Sequence, residues 1–393
     1  MLNDFGKDGT WEEGPSYWEL TMQYTSKILS ALKSVFGQCY TLDVGEGLAL
    51  TAKFMVTMQS ENGIYSYADA QRGAMYAPEL FWLSGKYNQP EITPVVLRLG
   101  GGTFRDNEDY ALAALWYDTS TESLTHEMPL DNLFATAHVG NMRASYDSGS
   151  AFFAFKAGRN NIGHAHLDAG SFIFDTMGVR WADDTGYTAL GYNQPNFFED
   201  EAGGRRWLAE GTRVKDHNCI EINPALDTGS ETRGEVYMGQ LLNSVSPVTR
   251  FETDEDSGIV VVDTSEAYKN VASGVKRGFF FTDNRQSLVI RDEIQLDNET
   301  DVNWYLVTPA TVTITENGAI LTSGDKQLKL EYIADGESTV EVEDLYSTKD
   351  GMQRITIKTR GSGLHNITVK LTPAALEGSD INDYNKDIST WRN

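Results

Sequence analysis

The chain has 393 residues, 40% of them hydrophobic and 11% aromatic, enough for two or three domains' worth of core. A formal net charge of −25 argues against nucleic acid or an anionic membrane as partner, and holds off a polyanionic sugar except where a local basic patch receives it. Two distant cysteines, Cys39 and Cys219, exclude a disulfide-stapled scaffold and read as buried free thiols.

In chain order, the first third reads helical. From Tyr17 the apolar residues Leu20, Tyr24, Ile28, Leu32 and Val35 recur every three to four positions and mark the expected buried face of a helix. Gly14-Pro15-Ser16 supplies its start and Gly37 its stop. Further helices are predicted around 47–58, 77–87 and 107–117, joined by short loops as antiparallel hairpins. The character changes near Pro129. Beyond it, strands are predicted at 151–156, 171–175, 258–263, 278–282, 287–291, 311–315, 354–359 and 366–371. Asp283-Asn284 and Asn317-Gly318 read as hairpin turns. The expected fold class is α+β and multidomain: a helical part over 1–128, then a large antiparallel β-sandwich over 129–393, with the polar tail from 374 packed on its outside. No stretch reads as a membrane span, and Met1-Leu2-Asn3-Asp4-Phe5 does not read as a signal peptide.

Chemistry concentrates in Gly163-His164-Ala165-His166-Leu167-Asp168-Ala169-Gly170, followed by Asp183-Asp184 and His217-Asn218. Three of the chain's six histidines lie in these segments. On a strand running from 164 to 174, His164 and His166 point to one face. A turn at Met177-Gly178 returns the chain with Asp183 or Asp184 beside His166, and His217 begins a further strand over 218–222. Two histidines and an aspartate from three strands make a reasonable zinc site; the plainer reading is a hydrogen-bonded histidine pair in a β core. Arg159, Asn161 and Arg206 flank the run, and arginines clamp carboxylates in bidentate fashion when they are not simply solvated surface charge. Residues 140–222 carry 8 Lys/Arg against 11 Asp/Glu, less acidic per residue than the rest, which permits a local basic patch.

These segments, together with Phe155-Lys156-Ala157-Gly158 and with Asp8-Gly9-Thr10-Trp11-Glu12-Glu13-Gly14-Pro15-Ser16-Tyr17-Trp18, resemble the heparinase II/III-like family of polysaccharide lyases across residues 8–223. The resemblance implies an (α/α) toroid joined to an antiparallel β-sandwich, and β-elimination on uronic-acid polysaccharides such as heparin, heparan sulfate or alginate. Elimination removes the C5 proton of a uronate, so the carboxylate must be neutralised while a base takes that proton and an acid protonates the leaving oxygen. Carried over, Tyr17 is base and acid, a role for which neighbours must lower a pKa that is normally near ~10. His164 sits at the substrate carboxylate or shares the proton transfer. Arg159, Asn161, Arg206 and Trp18 are the expected substrate contacts. His166, Asp184 and His217 hold a structural Zn2+. Only 16 residues precede Tyr17, so the resemblance implies a partial toroid here, completed by an upstream chain or a second copy that supplies the group neutralising the carboxylate. Family members are often periplasmic or secreted. A non-catalytic zinc-containing carbohydrate-binding sandwich, or a hydrolase using His166, Asp184 and His217 to activate water, are the alternatives.

Overall fold

The computed structural model describes residues 4–99, 107–121, 128–187, 193–199, 204–226, 239–345 and 351–392. Five helices lead the chain: α1 (Pro15–Phe36), α2 (Glu46–Thr57), α3 (Pro78–Lys86), α4 (Ile92–Leu99) and α5 (Asn107–Trp116). Pro15 opens α1, where its missing N–H is not needed, and Gly37 closes it at φ 71° with its N–H donating to the Lys33 carbonyl. Helix α4 was not anticipated: Pro94 looks like a breaker but falls in the first turn, where proline is tolerated.

The expected buried face of α1 points the other way. Leu20, Tyr24, Ile28 and Val35 are exposed, whereas Trp18, Met22, Thr25, Ser26 and Leu29 are buried. Both series have helical spacing, and periodicity alone cannot choose between them. Trp18 decides, because its indole N–H needs a buried acceptor and finds Thr51 Oγ1 at 2.7 Å on α2. Among the described residues no helix is long and apolar enough to cross a membrane.

Two antiparallel sheets follow. The smaller has β1 (Asn132–Phe134), β2 (Val139–Arg143), β3 (Phe152–Lys156), β4 (Phe172–Thr176) and β5 (Val179–Ala182), paired in that order. The larger has ten strands: β6 (Ile220–Ile222), β7 (Val248–Thr253), β8 (Gly258–Asp263), β9 (Ala272–Thr282), β10 (Ser287–Thr308), β11 (Thr311–Thr315), β12 (Gly318–Ser323), β13 (Lys326–Ala334), β14 (Ser338–Asp344) and β15 (Gln353–Pro373). Its main path runs β7-β8-β9-β10-β15-β13-β12-β11, with β6 added beside β10 and β14 beside β15.

The short strands expected at 287–291, 354–359 and 366–371 belong to two long ones, β10 and β15, which pair along almost their whole length. Asp297-Asn298 and Gly361 to Gly363 lie at the irregularity between the Leu296 and Thr300 pairings, where the ladder shifts register without ending. Gly318 is required at its turn: at φ 150° a Cβ would fall 1.9 Å from the Leu330 carbonyl oxygen.

The smaller sheet is buried on both faces. Phe152, Ala154 and Ile173 face the helical core with Phe54, Met55 and Leu80. Phe153, Phe155, Phe172 and Phe174 face Phe279, Phe281, Ile290 and Trp304 of the larger sheet. Strand alternation thus divides a continuous apolar run between two cores, and the molecule stacks as helices, small sheet, large sheet. The tail covers the outer face of the large sheet through Tyr384, Ile388 and Trp391, packed on Ile259, Val261, Phe280 and Val289.

The tail is fastened at the β9–β10 turn. Asp283 (φ 55°) pairs with Lys370 at 2.8 Å and accepts from the Ser379 N–H at 3.0 Å. Burial opposes its ionisation, but the Lys370 and Ser379 bonds outweigh it and bring its pKa to about 2. The stability this gives is fully present above the usual carboxylate pKa and is lost as pH falls from about 4 through about 2. Asp283→Asn tolerates the same backbone and should cost about 1–3 kcal/mol at neutral pH. Thermal melts across pH check this: the gap between the two proteins should close on acidification to pH 2, and a gap independent of pH would refute the role.

Candidate functional site

Lys156 ends β3 and Phe172 begins β4; the loop between them is closed at its base by Lys156 N–H to the Ser171 carbonyl (2.9 Å) and Gly170 N–H to the Lys156 carbonyl (2.8 Å). The histidine run lies in this loop. It is not the expected strand over 164–174: pairing starts only at Phe172, and His164 stands at φ 62° in a turn. The two imidazoles nevertheless meet, because both face one carboxylate. His164 Nδ1 is 2.9 Å from Asp69 Oδ2, and His166 Nε2 is 3.0 Å from Asp69 Oδ1.

Asp69 comes from the stretch after α2, preceded by Ala68 at φ 58°. Its N–H donates to the His164 carbonyl at 3.1 Å, so backbone and side chain both bind the same histidine. Burial opposes its charge, but the hydrogen bonds from His164 and His166 and the nearby Arg206 hold the carboxyl well below the usual range. Arg206 Nη2 lies 3.4 Å from Asp69 Oδ2 and donates to the Ala165 carbonyl at 2.6 Å.

Behind this layer His166, Asp168 and His217 come together, one ligand atom from each lying within 4.8 Å of the others. His166 Nδ1, Asp168 Oδ2 and His217 Nε2 are buried and have no hydrogen-bond partner. Their opposite atoms are all engaged: His166 Nε2 by Asp69, Asp168 Oδ1 by Lys156 Nζ at 2.5 Å, and His217 Nδ1 by Asp184 Oδ2 at 3.0 Å. Burial keeps His166 below the ordinary imidazole pKa despite Asp69. Burial also opposes charge on His217, but Asp184 outweighs it and raises the pKa. Two imidazoles and a carboxylate, each anchored on its far side, are a donor set suited to zinc.

In front, the Tyr17 ring at the first turn of α1 stacks on His164, centroids 3.5 Å apart at 18°. Both are part-exposed, so this pair forms the accessible edge of the site. Phe198, 49% exposed, meets His164 edge-on at 5.8 Å.

The remaining expected contacts are dispersed. Arg159 is exposed and ion-paired with Glu12; Asn161 donates to Asn243 Oδ1 at 2.6 Å. Trp18 and Arg206 are buried, the first against Thr51 and the second beneath the histidine loop, so neither offers a face to a ligand. Asp184 lies behind His217, and Asp183 binds Arg180 and Arg72 instead. Asp69 and Phe198 had no local signal in the sequence; Asp168 lay inside the histidine run but carried no spacing cue of its own.

Two buried side chains fix the loops. Asn218 donates to the Phe172 carbonyl (2.6 Å) and the Asp183 carbonyl (2.9 Å) and accepts from Val307 N–H (2.6 Å). Arg277 on β9 pairs with Asp292 at 2.7 Å and donates to the carbonyls of Gly170 and Asn218.

Residues 128–375 match the family model "Heparinase II/III-like, C-terminal". Among solved structures, the chain resembles one described as "Crystal Structure of Heparinase III", with TM-score 0.67, 16% identity, 96% of this chain covered and 56% of that one. It also resembles a mutant of heparan sulfate lyase HepC from Pedobacter heparinus, with TM-score 0.68, 12% identity and coverage of 93% and 53%. The chain thus spans a little over half the length of these structures. No curated protein sequence matches it.

Asn218→Leu keeps the size of the side chain but leaves two carbonyls and an N–H unpaired in the interior. A loss of about 3 kcal/mol is expected in denaturant unfolding; a loss below about 1 kcal/mol would mean that Asn218 does not hold the two sheets together.

Proposed function

The chain belongs to the heparinase II/III-like family, and on that basis we propose that it acts in cleaving uronic-acid-containing glycans by β-elimination. One observation carries this reading: Tyr17 and His164 are stacked at the accessible edge of the site, with His164 anchored from behind by Asp69. In this mechanism Tyr17 takes the C5 proton and returns one to the leaving oxygen, while His164 meets the substrate carboxylate or shares the transfer. In this reading Arg159 and Asn161 would release Glu12 and Asn243 to touch flanking sugars, and the exposed Phe198 suits a pyranose ring. Residues 1–128 then contribute a partial toroid and 129–393 the sandwich. The exposed apolar stripe of α1 supports further helices packing there, from an upstream chain or a second copy, and these would bring the group that neutralises the carboxylate.

The family resemblance also implies zinc, and the unpaired buried atoms fit it. His166 and His217 would hold it with a carboxylate, either Asp184 as first expected or Asp168 with its free oxygen. When bound, the ion would cross-link the histidine loop to the start of β6 as a structural centre. His166→Ala and His217→Ala should each abolish stoichiometric zinc by elemental analysis. Of Asp168→Asn and Asp184→Asn, the variant that loses zinc outright marks the ligand, and the other should weaken binding about 10–100-fold. Full zinc in both histidine variants would remove the metal from the reading.

The available cations favour a weakly charged uronan over highly sulfated heparin, since Arg159 is paired with Glu12 and Arg206 is buried. The test is ultraviolet absorbance of unsaturated product across a panel of uronic-acid polymers. Tyr17→Phe and His164→Ala should each reduce the rate about 10²–10⁴-fold, and unchanged rates in both would sink the assigned roles. A second reading, carbohydrate binding without turnover, is favoured by the burial of Trp18 and Arg206. Retention of uronate oligosaccharides with no new absorbance from any polymer would establish it.

A further inference from the structure

We propose that Asp69 is a positioning residue that sets the tautomers of His164 and His166 together, preparing one for proton transfer and the other for a cation. The half concerning His164 rests on the lyase reading above; the half concerning His166 does not.

The argument starts from hydrogen counting. A carboxylate lying between two imidazoles and a guanidinium is ionised and only accepts hydrogen bonds. His164 Nδ1 and His166 Nε2 both contact it, at 2.9 Å and 3.0 Å, so each of those nitrogens carries a hydrogen. In neutral imidazole the opposite nitrogen then bears the lone pair. For His164 that is Nε2, on a ring that stacks on Tyr17 and is 21% exposed. For His166 it is Nδ1, buried without a partner beside Asp168 and His217. One carboxylate therefore leaves one lone pair at the accessible edge and one in the buried cluster.

The surrounding backbone is built to keep Asp69 there. Ala68 and His164 both adopt positive φ, at 58° and 62°, a conformation that a non-glycine residue holds only where its surroundings enforce it. The Asp69 N–H to His164 carbonyl bond ties the two strained turns together. Arg206, fully buried, contacts Asp69 and the Ala165 carbonyl between the histidines, and so fixes their spacing. Because His166 belongs to the buried cluster and shares Asp69 with His164, filling the cluster orders the histidine at the edge without touching it. Neither residue can turn its ring without breaking its bond to the shared carboxylate.

The test is proton–nitrogen NMR on the whole chain labelled in histidine nitrogen, with zinc binding measured separately by competition against a chromophoric chelator. In the wild-type protein His164 should appear as the Nδ1–H tautomer and His166 as Nε2–H. An Nε2–H tautomer at His164 overturns the proposal with no variant needed. Asp69→Asn presents an acceptor to one ring and a donor to the other, so one tautomer should switch. Zinc affinity should fall about 10–100-fold, and Asp69→Glu should recover part of it. Unchanged tautomers with a change in zinc affinity of less than twofold would also overturn the proposal. On a cleaved uronan, Asp69→Asn should lower kcat and leave KM nearly unchanged; a change in KM alone would assign Asp69 to substrate binding instead. If no polymer yields unsaturated product, the lyase reading fails, while the wild-type tautomers and zinc affinities still decide the role of Asp69.

Discussion

The hydrogen bonds from Arg277 and Asn218 are the constraint on which the site depends. Beyond the short pairing of Gly158–Arg159 with Val245–Ser246, the described residues of the histidine loop and those just before β6 join no ladder, yet they lie in the interior, where every backbone polar group needs a partner. Arg277, its charge balanced by Asp292, donates to the Gly170 and Asn218 carbonyls. Asn218 binds across to β4, to the end of β5 and to β10. With these in place His166 and His217 have fixed origins, and their rings stand 5.1 Å apart with little freedom to separate. The large sheet is therefore more than a lid on the core: it sets the distance between histidines 51 positions apart in the chain.

A buried cluster of this kind is expensive unless each charge is answered. Here the answers are local and almost one to one: Lys156 for Asp168, Arg206 for Asp69, Arg277 for Asp292, Arg180 for Asp175. Among the atoms left over are His166 Nδ1, Asp168 Oδ2 and His217 Nε2, from three residues that bring one ligand atom each within 4.8 Å of the others. Breaking any one pair would leave a bare charge in the interior, so the cluster is poorly tolerant of single changes on either side of each pair.

How much of this was legible in sequence depends on the range of the interaction. Four of the five leading helices and many of the strands follow from local periodicity, and the histidine run stands out because its residues are close in sequence. What periodicity could not supply was orientation. The apolar series of α1 from Leu20 and the series from Trp18 are equally helical, and the hydrogen bond from Trp18 to Thr51, 33 residues away, selects between them. Likewise the short strands read at 354–359 and 366–371 become one only when their pairing with β10 is known. Asp69 is the extreme case. It lies 95 residues from His164, between Ala68 and Gln71 in a stretch with no motif, and its importance consists wholly of what the fold brings to it.

The pairing of charges also bears on what the accessible edge can bind. A chain with 32 Lys/Arg against 57 Asp/Glu has few cations to spare. Near the site Lys156, Arg180 and Arg206 are spent on buried carboxylates, Arg72 is paired with the buried Asp183, and Arg159 is paired at the surface with Glu12. A densely sulfated polymer approaching this edge would have to break those pairs to gain a counter-charge, leaving Asp183 bare in one case and exchanging one surface ion pair for another of similar strength in the other. On the proposed reading, a glycan with one carboxylate per repeat would make a smaller demand and would meet an edge formed by the contacting rings of Tyr17, His164 and Phe198. If the proposed elimination takes place here, recognition on such an edge would be governed by shape and apolar contact, with charge entering at the single position where that reaction requires it.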